Sequence, residues 1–458
     1  MKSTKPIGNL ITLFLLFASL SLTSLAQTGA APGIDAKVDE YLNAYWNVKK
    51  IGGSVLVARG GKVLVSKGFG FANAETKTQN APALRYRLGS LTKQFTAAAV
   101  MLLQEKGKLS VQDNACKYLD NCPEAWKAIT IHQLLTHTAG VPNFTALPEW
   151  RTKKSEDLST VQVLDLVRSL PLKFAPGSDF EYSNTGYLML GLIIEKASGK
   201  RYSEFLKANI FEPLKMPDSG YDDGKQAGKN FAVGYSKKGS DNVVADVINM
   251  KAPFSAGALY STTADMLRWS EALNSEKLLS KKSLDIIFTP EKRNYGYGWG
   301  MGPWNRRSMQ SHTGGIDGFN TYITRIPADN SVVIVLLNNT AGMANVIGND
   351  LLAILYGEKY ELPKERKEIS LNPAAEDIYV GTYTVAPGLS FVIGKGGNGL
   401  TFLPPGQPRA VEMFAESETT FFLKVVDATI TFVKNAEGKV TGLEYNQAGR
   451  TTRAKKQE

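Results

Sequence analysis

Histidine is scarce in this 458-residue chain, with three in all, and cysteine is scarcer, with two. His132 and His137 stand five apart, whereas helical metal-ligand pairs need a spacing of three or four, so no zinc site is expected. No cofactor of any other kind is implied. Neither Cys116 nor Cys122, in "CKYLDNC", has a CxxC or metal-ligand companion. The two thiols either pair locally or stay free, and an oxidising compartment is where such a pair persists. Repeats and low-complexity tracts are absent, which gives no ground for a largely disordered chain. Nucleic-acid motifs are absent too, so nucleic acid is not expected as a partner. The formal charge of +10, part of it in the tail "RTTRAKKQE", reads as a solvated basic surface with at most weak attraction to an anionic envelope.

Long apolar runs are confined to the start. Lys2 and Lys5 precede "LITLFLLFASLSLTSLA", Leu10 to Ala26, which ends in the small-residue pattern Ser24-Leu25-Ala26. This is the layout of a secretory signal peptide over residues 1–26, cleaved after Ala26. A membrane anchor needs about 20 apolar residues; this run is shorter and interrupted by Ser and Thr, and no cysteine follows to suggest a lipoprotein. The mature chain, its charge lowered to +8 by loss of Lys2 and Lys5, is expected to be periplasmic or secreted with no stable membrane span. The next most apolar run, "SVVIVLL" from Ser331 to Leu337, reads as a buried strand.

What remains is an ordinary globular composition, 43% hydrophobic and 21% charged, long enough for two or three folded units. "IGGSVLVARGGKVLVSKGFGFAN" holds two β-branched runs joined at Arg59-Gly60-Gly61-Lys62, a hairpin signal. Helical patterns follow in "TKQFTAAAVMLLQEKGKL" and "TGYLMLGLIIEKASGK", each closed by a glycine suited to a left-handed cap. Strands return in "NTYITRIPADNSVVIVLLNN", with a turn at Pro327-Ala328-Asp329-Asn330. Strands from both ends with helices between them predict an α/β domain over 27–360. The charged, proline-bearing stretch around 361–373 reads as a linker. Beyond it, over 374–458, short strands separated by turns predict a small antiparallel barrel or sandwich.

Three short patterns carry chemistry. "GSLTK" places Ser90 and Lys93 on one face of a helix start, with Cβ atoms about 5–6 Å apart. There a lysine of lowered pKa can take the serine's proton, and the helix N-terminus favours a developing oxyanion. The spacing alone is also what an N-cap serine and a solvated lysine would show. "YSN" places Tyr182 and Asn184 in a loop entering a helix: a tyrosine beside a lysine can move a proton, and an amide can orient both lysine and substrate. The same Y-x-N spacing at Tyr41 and Tyr45 falls in an amphipathic N-terminal helix, where packing explains it. "SHTGGIDGFN" places His312, Thr313, Gly314 and Gly315 at the opening of a strand. The glycines let a substrate backbone lie close, and the Gly315 N–H can join that of Ser90 as an oxyanion hole.

In the order S-x-x-K, "LLTHTAGVP" (Leu134 to Pro142), Y-x-N, "FSAGALYSTTADMLRW" (Phe254 to Trp269) and H-T-G, residues 35 to 357 resemble the penicillin-recognising serine hydrolases. The similarity is to the branch of class C β-lactamases, D-Ala-D-Ala carboxypeptidases, D-aminopeptidases and related esterases. The resemblance implies a β-lactamase/transpeptidase-like fold, an antiparallel sheet flanked by helices with a helical subdomain. "VGTYTVAPG" onward is similar to a lipocalin-like barrel appended in such proteins. Carried over by position, the resemblance implies Ser90 as acylated nucleophile, Lys93 as its activator, Tyr182 as proton shuttle to the leaving group and Asn184 as substrate-orienting amide. Ser90 and Gly315 N–H groups would hold the oxyanion, and the partner would be a small-molecule or peptide substrate, peptidoglycan-derived among the options. His312 departs from the lysine common in that family: a mostly neutral side chain replaces a fixed cation, which weakens carboxylate anchoring and favours amide or ester chemistry over β-lactam hydrolysis. His137 is expected at the edge of the site, His132 on a helix surface, and Asn143, Phe144, Ser255 and Tyr260 at the cleft mouth. The competing reading is a non-catalytic binding or sensor protein for peptidoglycan or peptide. Retention of serine, lysine and tyrosine together speaks for the hydrolase.

Overall fold

The protein is described by a computed structural model covering residues 33–457 apart from 225–229, 239–240, 373–375, 398, 408, 425–427 and 448–449. The signal peptide expected at 1–26 lies outside the described residues. Helix α1 (Ile34–Lys49) buries Val38, Tyr41, Leu42 and Tyr45, spaced three, one and three apart, so a single stripe meets the sheet. Both tyrosines of the early Y-x-N pairs belong to that stripe. Strands β1 (Gly53–Arg59) and β2 (Lys62–Phe69) are joined by Gly60 and Gly61, at φ 58° and 76°, the doubly left-handed turn that suits strand twist. Helices α2 (Thr92–Glu105) and α3 (Asn184–Ser198) are buried nearly all round, as the centre of a helical region requires. Gly199, at φ 69°, caps α3.

After α4 (Thr263–Ala272) come β3 (Gly300–Trp304), β4 (Arg307–Ile316), β5 (Phe319–Ile326), β6 (Ser331–Leu337) and α5 (Ala344–Tyr356). The six strands form one antiparallel sheet in the order β3-β4-β5-β6-β1-β2, so the helical region is an insertion between β2 and β3. All seven residues of β6 are buried because the strand alternates between two cores. Val332, Ile334 and Leu336 pack with the helical region, and Val333, Val335 and Leu337 pack with α1 and α5. Cys116 and Cys122 are paired in a disulfide within the helical region.

Gly357, at φ 70°, ends α5, and residues 358–372 form neither helix nor strand. Tyr360 and Leu362 pack on the α1–α5 core, whereas Leu371 packs on the core of the next unit. That unit is a nine-stranded antiparallel sheet whose two edge strands, Val411–Glu412 and Phe414–Ala415, are separated in sequence by one residue, buried Met413. The chain itself therefore carries one edge of the sheet to the other, and the barrel is nearly closed. The basic tail is a strand as well as the solvated surface expected of it. Arg450–Lys456 is a strand inside the barrel, paired on one side with Val440–Gln447 and on the other with Gly381–Ala386. Its alternation is masked in sequence because only Ala454 is apolar and buried while Arg453 and Lys455 on either side of it are exposed. Among the described residues no helix is long and apolar enough to cross a membrane.

Candidate active site

Ser90 sits in a 3₁₀ turn, Gly89–Leu91, that runs straight into α2, and its side chain caps neither helix. The turn is held from both sides. Leu88 N–H donates to Leu259 C=O at 2.8 Å, and the Thr321 hydroxyl on β5 donates to Leu88 C=O at 2.7 Å. Gly89 has φ 54°, and a Cβ there would lie 2.8 Å from the Gly315 nitrogen, so glycine is what lets the turn meet β4 this closely.

One turn along α2, the Lys93 ammonium group lies 3.0 Å from Ser90 Oγ, 2.8 Å from Asn184 Oδ1 and 2.9 Å from Ala256 C=O. The lysine is 0% exposed, and among the described residues no carboxylate pairs with it. Burial therefore holds its pKa well below the ordinary 10.5. Its faces are covered by the rings of Tyr182 and Tyr187, with Nζ 4.8 and 5.4 Å from their centroids. Burial also raises Tyr182, against a smaller opposing effect of its hydrogen bond with Ser90, so the phenol keeps its proton at neutral pH.

Ser183 caps α3 by accepting from Gly186 N–H, which sets Asn184 as the first helical residue. Its amide is locked by a partner that the sequence pattern does not reveal. Asn184 Nδ2 donates to Thr145 Oγ1 at 3.0 Å, which turns Oδ1 toward Lys93. Asn143 Oδ1 in turn accepts from the Thr145 hydroxyl and from Asn184 N–H. Asn143 thus supports the site from behind, and Phe144 is fully buried beside it. Ser255 is buried too, donating to Tyr187 C=O, and Tyr260 lines a different cavity of about 1440 Å³ beyond the Phe254–Gly257 turn. That cavity is the larger, but Ser90 does not face it.

His312 to Ile316 occupy the second half of β4 and do not open it. The strand starts at Arg307, because Asn305 and Arg306, at φ 40° and 66°, fold β3 back onto it. Strand β3 ends its pairing at Gly300 opposite Ser311, so among the described residues the β4 edge from His312 onward has no strand beside it on that side. The two glycines point in opposite directions. A Cβ on Gly314 would lie 2.1 Å from Leu88 C=O, whereas one on Gly315 would meet nothing within 4 Å. Gly314 accommodates the Ser90 turn, and Gly315 faces open space.

A cavity of about 500 Å³ adjoins Ser90, with Tyr182, Tyr295, Ser311, His312 and Thr313 among its walls. In it His312 Nδ1 lies 2.6 Å from Thr313 C=O and Nε2 lies 2.8 Å from the Tyr295 hydroxyl. A carbonyl can only accept, so Nδ1 carries the proton, Nε2 is an acceptor and Tyr295 donates to it. His137 is less peripheral than expected. It is buried at φ 59°, with its ring 4.3 Å from that of Tyr182, and Nδ1 accepts from Ser183 N–H. His132 binds the Tyr297 hydroxyl at 2.7 Å, away from Ser90.

Burial, then the Lys93 charge, push His312 down to about 4, against a smaller opposing effect of Thr313 C=O. An unfolded chain takes up this proton near pH 6.5, and the folded chain refuses it until about pH 4. Stability carried by neutral His312 is present above pH 6.5 and is lost as pH falls to about 4, on the order of 3 kcal/mol. Guanidinium unfolding at pH 7 and pH 4.5 should show a smaller acid loss for His312→Gln than for the wild type. Equal losses in the two proteins would contradict the assignment.

A family model described as "Beta-lactamase" matches residues 34–358, and a second, described as "Domain of unknown function (DUF3471)", matches residues 365–456. The chain is 30% identical over 421 residues to penicillin-binding protein 4* of Bacillus subtilis (strain 168), covering 86% of this chain and 92% of that protein. Among solved structures it is similar to the octameric penicillin-binding protein homologue from Pyrococcus abyssi, with TM-score 0.66 and 25% identity over 92% of this chain and 99% of that one. The penicillin binding protein from Bacillus halodurans gives TM-score 0.62 and 29% identity over 69% and 98%.

Proposed function

The chain belongs to the β-lactamase family, whose members are serine hydrolases, and from that premise we propose that it is an exported hydrolase acylated on Ser90 by small amide or ester substrates. The observation that carries the reading is the 3.0 Å contact between Ser90 Oγ and an amine that is wholly buried and lacks a carboxylate. A buried, unpaired lysine is poised to be neutral, and a neutral amine is a base.

In this reading the Ser90 proton passes to Lys93 as Oγ bonds to the substrate carbonyl carbon. The carbonyl oxygen becomes an oxyanion held by the N–H groups of Ser90 and Gly315. The bond to the leaving nitrogen or oxygen breaks as the Tyr182 hydroxyl supplies a proton, and the tyrosinate recovers one from the Lys93 ammonium. Water then attacks the acyl-enzyme by the same groups in reverse. Asn184, held by Thr145, keeps Lys93 aimed at Ser90 and leaves the substrate a polar wall. The unpaired β4 edge from His312 to Ile316 offers main-chain groups to an extended substrate.

The folded protein should be labelled covalently by fluorescent penicillin or fluorophosphonate, and Ser90→Ala should abolish the label. Intact mass spectrometry with D-peptides, esters and β-lactams would then identify the acyl groups accepted. Absence of any adduct in folded protein would favour a binding protein that keeps the fold without the chemistry.

A further inference from the structure

The hydrogen-bond partners of His312 go beyond the choice of nucleophile and bear on which leaving groups the site admits. Resting on the Ser90 reading above, we infer that Tyr295, through its hydrogen bond to His312, is a specificity-determining residue that makes the leaving-group subsite select amide, alcohol or amine leaving groups that carry no carboxylate.

Three observations locate and characterise the subsite. Tyr182, assigned to protonate the leaving group, has its ring 6.2 Å from the His312 ring, so the leaving group lies on the His312 side of Ser90. The cavity on that side is walled by tyrosine, serine, threonine, glycine and histidine, and among the described residues no lysine or arginine side chain lines it. The single side chain there that could become cationic is His312, and both of its nitrogens are already engaged. Nδ1–H is spent on Thr313 C=O at 2.6 Å, and Nε2 accepts from the Tyr295 hydroxyl at 2.8 Å.

A histidine held this way has no N–H left for a substrate. To greet a carboxylate it would have to gain a proton at Nε2, and the Tyr295 hydroxyl, 2.8 Å away and able to accept as well as donate, would take that N–H before a substrate could. Tyr295 is itself buried against the rings of His137 and Phe180, at 4.8 and 5.9 Å, so it cannot swing aside freely. A carboxylate entering the subsite would be desolvated without a charged donor, which is costly. An amide of the same shape would be served by Ser311, Thr313 and the free β4 edge.

The test uses the full chain and two acetyl-D-alanyl thioesters that differ in one group, with 2-mercaptopropionate or 2-mercaptopropionamide as leaving thiol. Thiol release gives kcat/KM, and intact mass gives the Ser90 adduct. The wild type should favour the amide at least tenfold. In Tyr295→Phe no hydroxyl competes for a protonated Nε2, so the ratio should narrow at least threefold at pH 4.5, close to the value of about 4 that burial and the Lys93 charge set for His312, with a smaller effect at pH 8. His312→Lys, which installs a fixed cation, should invert the ratio.

A change of overall rate alone would mark Tyr295 as merely structural, since that would move both thioesters alike. Such a parallel change, or a wild type that prefers the carboxylate or treats the two equally, would overturn the inference while leaving acylation of Ser90 intact. If Tyr295→Phe does not fold, Tyr295→Leu, which also lacks the hydroxyl, is read in its place, and an unchanged ratio there overturns the inference. Absence of any Ser90 adduct with either thioester would instead bring down the catalytic reading, and this inference with it.

Discussion

Replacing Lys93 with methionine lowers the second-order rate of Ser90 acylation by about 10²–10⁴-fold, the span typical of a lost general base. Methionine fills the same buried, fully enclosed space, so the chain folds, but nothing remains to take the Ser90 proton. The pH profile separates loss of the base from a packing defect. Burial places the Lys93 pKa well below 10.5, and the basic form is the neutral one, so wild-type kcat/KM rises with pH through that lowered value. The groups facing Lys93 are Ser90, Asn184, Ala256 C=O, Tyr182 and Tyr187, none of them a carboxylate that would raise the pKa again. Neutral His137 and His312, both held low chiefly by burial, add no charge there near pH 7. In Lys93→Met the rising limb should vanish along with the rate. A limb that persists in the variant would assign the base elsewhere, and a rate within tenfold of wild type would remove Lys93 from the mechanism.

Gly314→Ala should lower acylation by about 10²–10³-fold, the effect of losing one oxyanion donor, although its side chain would never touch substrate. The added methyl would lie 2.1 Å from Leu88 C=O and 2.2 Å from Thr321 Oγ1, the two atoms whose hydrogen bond ties the Ser90 turn to β5. Leu88 C=O is backbone and cannot retreat without moving it, and Thr321 Oγ1 could turn away only by giving up that hydrogen bond, so the turn and β4 must part, and the N–H groups of Ser90 and Gly315 separate with them. A lower melting temperature should accompany the loss. Gly315→Ala is the internal contrast: its methyl meets nothing within 4 Å, so the fold should be unaffected to within about 0.5 kcal/mol while substrate affinity changes. Stopped-flow acylation together with thermal unfolding checks both. Acylation by Gly314→Ala within threefold of wild type would show that this contact does not position the turn.

Much of the fold was legible because its signals are local. The paired glycines at 60 and 61, the terminating Gly199 and the apolar alternation of β6 each act through their own φ, ψ or period, so a short stretch suffices to read them. The last barrel strand was not legible. Arg450–Lys456 carries a surface composition, and it is a strand because neighbours on both sides supply its hydrogen bonds.

The candidate site divides in the same way. Ser90 and Lys93 share a helix face at any S-x-x-K that starts a helix, and the order of the five short patterns pointed to the family without coordinates. The supports came from elsewhere in the chain. Thr145 locks Asn184 across 39 residues, Ala256 C=O meets Lys93 across 163, and Tyr295 reaches His312 from outside its strand. Thr145 and Tyr295 have no periodic or motif signal of their own, and Ala256, although it lies in the quoted stretch from Phe254 to Trp269, contributes only a backbone carbonyl, which no side-chain pattern marks.

By itself the sequence determined which chemical groups are present, a lysine one helical turn from a serine and a histidine where a cation is common. Tertiary structure alone decided their protonation and aim. Whether a lysine is solvated or stripped of water, and whether a histidine keeps a free N–H, depends on what packs around it, and those neighbours are assembled only when distant segments meet.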